Sequence, residues 1–167
     1  MMVITPRLAW VFLSVLSAAV SVSSLLLTAW LNLEPCHLCI FQRLLFMLMS
    51  LVALTVALTQ EWSRLVARLS SLIFLILAGF GAGVAGYQSW LQFQPINTVS
   101  CVAGKMGLIE HWVEWLGQQM PSLFLASGFC EDPQLVILGL SLANAALFIF
   151  VLSLAVAIWA LWFRDPA

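Results

Sequence analysis

Charge is what this chain lacks most. Of its 167 residues, 8% are Asp, Glu, Lys or Arg and 63% are apolar, whereas a globular domain carries roughly 25% charged residues. So little polar surface does not cover a water-soluble body, and lipid must be the solvent over most of the area. No basic run is present and the net charge is -1, which leaves nothing to hold a nucleic acid. Metal-site spacing is scarce as well. Cys36, Cys39 and either His37 or His111 are candidate ligands, but the chain has neither a second C-x-x-C nor an H-x-x-x-H to complete a zinc set. Ile40 follows Cys39 where covalent haem requires His. No soluble domain is available for flavin or nicotinamide, and no internal repeat is evident.

What is abundant is uninterrupted apolar sequence. A membrane helix needs about 20 such residues. Charge-free runs, the second beginning at Leu44 and extended back through Phe41, Ile40 and Leu38, predict four spans, at 8–31, 38–59, 69–91 and 135–162. The expected fold class is therefore all-α: a single-domain, integral-membrane four-helix bundle. The first run is longer than the ~7–15 residues of a signal-peptide core and reads as an uncleaved span. Arg7, Arg64, Arg68 and Arg164 gather on one side, against Lys105 and the span-end Arg43 on the other. Positive charge marks the cytoplasmic side. Both termini and the 60–68 loop are thus expected in the cytoplasm of a bacterial inner membrane, and loops 32–37 and 92–134 in the periplasm. Trp10, Trp30, Trp62, Trp90, Trp159 and Trp162 fall at span ends, where amphipathic rings prefer to lie.

All four cysteines, Cys36, Cys39, Cys101 and Cys130, then lie on the outer side, where disulfides persist. Cys36-His37-Leu38-Cys39 is a redox spacing. Pro35 directs an extended approach and suits a helix start, so the sulfurs fall near a helix N-terminus that favours thiolate, the attacking form in disulfide exchange. Arg43 follows Cys39 by four residues and Cys36 by seven, on the same helical face. An arginine about one turn inside a span is costly and functional by default; there it stabilises a thiolate or an anionic cofactor intermediate. A snorkelling interfacial side chain is the plainer reading.

Cys101 and Cys130 share the long outer loop. A static brace is one reading, worth ~3–4 kcal/mol in chain entropy. The loop is rich in Gly104, Gly107, Gly117, Gly128, Pro95 and Pro121, and such a loop suits exchange better than bracing. Between the two cysteines, Ile109, Trp112, Val113, Leu116 and Met120 recur at helical spacing, with Glu110, His111, Glu114 and Gln118 opposite. This predicts a short amphipathic helix on the membrane surface that keeps Cys130 near the first pair. His111 and Glu114 read as a solvated face. Gly81-Ala82-Gly83-Val84-Ala85-Gly86 matches a dinucleotide fingerprint but sits inside a span without a preceding strand. Close helix packing, including the Gly79/Gly83 pair, explains it better.

Two cysteine pairs relay oxidation but do not create it. By elimination, the acceptor most available to a buried helix face is a lipid-soluble quinone, ubiquinone or menaquinone. At this point the residues resemble a family. Pro35-Cys36-His37-Leu38-Cys39 with Arg43, Phe124-Leu125-Ala126-Ser127-Gly128-Phe129-Cys130 ahead of the fourth span, and Cys101 shortly after Leu91-Gln92-Phe93-Gln94-Pro95 are similar to the bacterial DsbB disulfide oxidoreductases.

The resemblance covers nearly the whole chain and implies Cys36–Cys39 and Cys101–Cys130 disulfides. It also implies a periplasmic thioredoxin-like, DsbA-type partner. That partner attacks Cys101, Cys130 exchanges with the first pair through Cys36, and Cys39 becomes a thiolate beside quinone. Arg43 would stabilise the Cys39–quinone adduct or the developing quinone anion. Some members carry an ionisable residue near the outer end of the third span. Here Gln88 and Gln92 occupy that region, where either amide can hydrogen-bond a quinone carbonyl. A structural subunit with two static disulfides and a thiol relay that exports reductant are the competing functions. The second requires cysteines on the cytoplasmic side, where none is found.

Overall fold

The computed structural model describes residues 5–93, 107–120 and 140–162, together with 123, 126, 128 and 135–137. Helix α1 is Pro6–Trp30, α2 His37–Thr59, α3 Arg64–Gln92, α4 Leu108–Gln119 and α5 Leu142–Trp162. Four of these, α1, α2, α3 and α5, are 21 to 29 residues long and apolar enough to cross a membrane. At 1.5 Å per residue even the shortest reaches about 30 Å, the thickness of a hydrocarbon core.

Each start has a local cause. The Thr5 hydroxyl accepts the Leu8 N–H at 3.4 Å, with Pro6 in the first turn. The Ser63 hydroxyl does the same for Val66 at 3.4 Å. Both satisfy an N–H that has no partner inside the helix. The fourth span departs from its hydropathy. Residues Val136–Ile137 (β1) pair antiparallel with Leu140–Ser141 (β2), and α5 begins only at Leu142, where the Ser141 hydroxyl accepts the Asn144 N–H at 3.3 Å. A hydropathy window sees apolar residues on both sides of that serine and so misses the cap. β-branched Val136 and Ile137 favour the ladder.

Consecutive spanning helices pack side by side, and α5 closes on α1 with the loosest of the four contacts. The core holds Leu13, Met49, Ala53, Val56, Phe74, Ala78 and Phe150, all fully buried. Phe46 stacks on Phe150 at 4.1 Å. The Phe150 ring lies where a Cβ on Gly81 would sit. Of the four glycines Gly79, Gly81, Gly83 and Gly86, close packing therefore falls on Gly81 alone. Gly79 and Gly83, expected to pack, have nothing within 4 Å of the place a Cβ would take, because they turn away from α5.

The tryptophan belt also needs one correction. Trp30, Trp62, Trp90 and Trp162 are exposed, but Trp10 is fully buried. It meets Phe74 edge-to-face at 5.3 Å, because one turn of helix carries its face inward. Between α1 and α2, Ser14 and Ser50 exchange hydrogen bonds, each hydroxyl donating to the other's carbonyl at 2.9 and 3.0 Å.

Helix α4 forms where the amphipathic pattern predicts it, but its apolar residues divide. Val113 is fully buried against Ile40, with Ile109, Leu116, Phe41 and Leu44 around them. Trp112, Trp115 and Met120 remain exposed. The helix is thus docked on the first turns of α2, beside the C-x-x-C.

Candidate redox site at the start of α2

Cys36 is the N-cap of α2 and its sulfur accepts the Cys39 N–H at 3.4 Å. The C-x-x-C therefore begins the helix, and the helix end turns its unpaired N–H groups toward the sulfurs. Cys36 and Cys39 are not bonded to each other. Their sulfurs lie 3.2 Å apart, with Cys36 S–H donating to Cys39, so exchange between open and closed forms needs little movement. Cys36 is 3% exposed. The pair packs among Leu38, Val84, Leu91 and Ile109.

Arg43 is 4% exposed. Its Nε donates to the Ser24 hydroxyl at 3.2 Å, and Nη2 donates to the Thr28 hydroxyl at 2.8 Å and the Ser24 carbonyl at 3.4 Å. Nη1 donates to the Leu123 carbonyl at 3.1 Å. The side chain does not snorkel: it is clamped between α1 and the segment after α4. Among the described residues every oxygen that meets it is neutral, and no Asp or Glu forms an ion pair with it. A guanidinium keeps its charge, and a buried charge without a counter-ion is costly. This region is accordingly built to receive negative charge from elsewhere.

Helix α3 contributes the opposite wall. Gln88 is 2% exposed, and its Nε2 donates to Cys39 Sγ at 3.0 Å and to Cys36 Sγ at 3.5 Å. Gln42 Nε2 in turn donates to Gln88 Oε1 at 2.8 Å. Gln92 lines the same small cavity as Cys36, Cys39, Arg43 and Gln88, and its Oε1 is buried without a hydrogen-bond partner among the described residues. A second cavity of about 360 Å³ opens between α1, α2 and α5. Cys39, Gln42 and Arg43 form its polar end, and Ala19, Ala145 and Ile149 lie among its apolar residues. Cys39 and Arg43 line both spaces.

Three side chains of this site, Ser24, Thr28 and Gln42, escape a reading of the sequence. Their signal was present: uncharged polar groups inside spans, two of them four residues apart near the C-terminal end of the first. Gln88, read as a group for a quinone carbonyl, meets the cysteine sulfurs directly. His111 and Glu114 are exposed and take no part. Cys101 and Cys130 lie outside the described residues. The chain leading to Cys130 nevertheless has an anchor, because the Gly128 N–H donates to the Pro35 carbonyl at 3.3 Å, immediately before Cys36.

A family model described as disulfide bond formation protein DsbB matches residues 6–160, which include every cysteine and all of the site above. The chain belongs to the DsbB family. Disulfide bond formation protein B of Dechloromonas aromatica is 40% identical over 141 residues, covering 82% of this chain and 81% of that one. The protein of the same description from Albidiferax ferrireducens is 33% identical over 161 residues, 96% of this chain and 90% of that one. A third, from a Polaromonas species, is 35% identical over 146 residues, 87% and 84% of the two chains. A DsbB chain with four apolar helices is a multi-pass membrane protein, and the C-x-x-C, buried Arg43 and Gln88 stand together at one end of its bundle.

Proposed function

We propose that this chain is an inner-membrane thiol:quinone oxidoreductase that reoxidises a periplasmic, DsbA-like dithiol protein and passes the electrons to ubiquinone or menaquinone. Both termini face the cytoplasm in this reading, and the four cysteines face the periplasm. The observation that carries it is the buried Arg43 one turn along α2 from Cys39, without an ion-pair partner among the described residues, with both residues lining a cavity between the spanning helices.

That cavity suits a quinone. Its volume of about 360 Å³ lies within the ~300–1,000 Å³ of small-molecule sites, its walls are mostly apolar, and its polar end carries donors for a carbonyl. Arg43 and Cys39 would hold the head group, with Gln88 and Gln92 reaching it from the smaller cavity. When bound, a quinone supplies an acceptor for two electrons and two protons.

The protein residues carry the rest. A partner thiolate attacks the Cys101–Cys130 disulfide at Cys101, forming a mixed disulfide and releasing Cys130 as thiolate. Cys130 then attacks Cys36; the Cys36–Cys39 bond breaks, and its electron pair leaves on Cys39. The Gly128–Pro35 hydrogen bond supports this transfer by tying the chain two residues before Cys130 to the residue before Cys36. At Cys39 the negative charge meets the Gln88 amide, the start of α2 and the field of Arg43. Each step is thiolate attack on a disulfide, so thiolate fraction and access set the rate.

Quinone reduction followed by absorbance tests this, using the purified chain, either quinone and a reduced thioredoxin-like periplasmic protein. Turnover that disappears in Cys36→Ser is the expected result. Absence of turnover with both quinones, with both disulfides left intact, would overturn the relay and leave a structural subunit.

A further inference from the structure

The Gln42–Gln88 hydrogen bond joins two spans inside the membrane, yet the exchange described above does not use Gln42. We propose that Gln42 is a positioning residue for the redox pair, acting through Gln88, whose carboxamide it holds with the NH2 toward Cys39. The inference rests on the functional reading above only in taking Cys39 as the sulfur that leaves with the electron pair.

The geometry is specific. Gln42 is 5% exposed and Gln88 2%, so neither amide has water to satisfy it, and a buried amide left unpaired is destabilising. The two ends of a carboxamide are nearly the same shape but opposite in hydrogen bonding. What lies at one end therefore decides what the other end offers. Gln42 presents an NH2, which only donates, 2.8 Å from Gln88 Oε1. With Gln42 so oriented, the Gln88 oxygen is held away from the cysteines and Nε2 lies 3.0 Å from Cys39 Sγ. Against that Gln42 orientation, a reversed Gln88 would set its NH2 against the NH2 of Gln42 and its oxygen against a sulfur gaining negative charge. Both contacts are repulsive.

Helix α2 delivers both devices from adjacent positions. Successive residues point about 100° apart, so Arg43 turns to the hydroxyls of α1 while Gln42 turns to α3. During exchange an incoming thiolate forms a bond to Cys36, the Cys36–Cys39 bond breaks, and the charge passes from the attacking sulfur to Cys39. A preset N–H donor stabilises that product without reorganising. It thereby favours the reduced form of the pair and makes the pair a stronger oxidant.

The test equilibrates the full-length chain with glutathione buffers and reads the Cys36/Cys39 dithiol fraction by differential alkylation and mass spectrometry. Gln42→Leu is expected to shift the pair about tenfold toward disulfide, which is about 30 mV for a two-electron couple. Gln88→Leu should do the same, and the double variant should shift no further than Gln88→Leu alone, because Gln42 acts only through Gln88. Gln42→Asn keeps an amide but shortens its reach, and should move the equilibrium in the same direction if Gln42→Leu fails to fold. Values for Gln42→Leu and Gln42→Asn within twofold of the parent, or additive shifts in the double variant, would overturn the proposal. The readout needs no quinone. A chain that shows the shift but reduces no quinone retains this inference and loses the proposed function.

Discussion

Two arginines frame this bundle, and their surroundings are opposites. Arg7, at the start of α1, pairs with Glu61 at 2.8 Å, with both side chains more than half exposed at 53% and 65%. Arg43, near the start of α2, is 4% exposed and, among the described residues, meets only hydroxyl and carbonyl oxygens. A solvated ion pair is worth about 0–1 kcal/mol. A buried cation without an anion is held at a cost, which its surroundings offset through hydrogen bonds. The formally neutralised arginine thus contributes little, and the one with no carboxylate among the described residues stands at the redox pair.

The largest contrast should come from the sulfurs. Cys39→Ser leaves a side chain that cannot form the disulfide, and quinone reduction should fall to background while the chain stays folded. Arg43→Met comes next. Removing a charge-assisted donor is worth about 1.5–3 kcal/mol, so turnover should drop about 10- to 100-fold, measured at saturating partner. Turnover unchanged in that variant would mean that the buried charge is structural. In the core, Gly81→Ala places a methyl against Phe150 and should destabilise by about 1–3 kcal/mol. Gly83→Ala meets nothing and should be neutral or stabilising by up to about 1 kcal/mol. Thermal unfolding in one detergent compares the two, and equal midpoints would contradict the packing. Arg7→Gln should show the smallest effect, less than about 1 kcal/mol in stability and less than twofold in turnover. A larger loss would remove the distinction between the two arginines.

Much of the site can be read along one helix. Cys36, Cys39 and Arg43 share a face because of their spacing alone, and Pro35 announces the start of α2. The clamp on Arg43 is less legible. Ser24 and Thr28 read as ordinary polar residues of a span until α1 turns them toward α2. The same holds for Trp10, whose position in the chain suggests an interface and whose ring is in the core against Phe74.

Four apolar helices and a C-x-x-C at a helix start followed one turn later by an arginine on the same face were determined by the sequence alone. Span length depends on local hydropathy, and the face shared by these residues depends on the 3.6-residue turn. Three features were decided only by the tertiary structure: that Gln42 meets Gln88, that Gly81 rather than Gly79 or Gly83 receives a neighbouring ring, and that α5 waits for Ser141. The first two depend on how each helix is rotated and shifted against the next, which many weak side-chain contacts set together. The third depends on a cap and a short ladder within a run whose hydropathy is uniform.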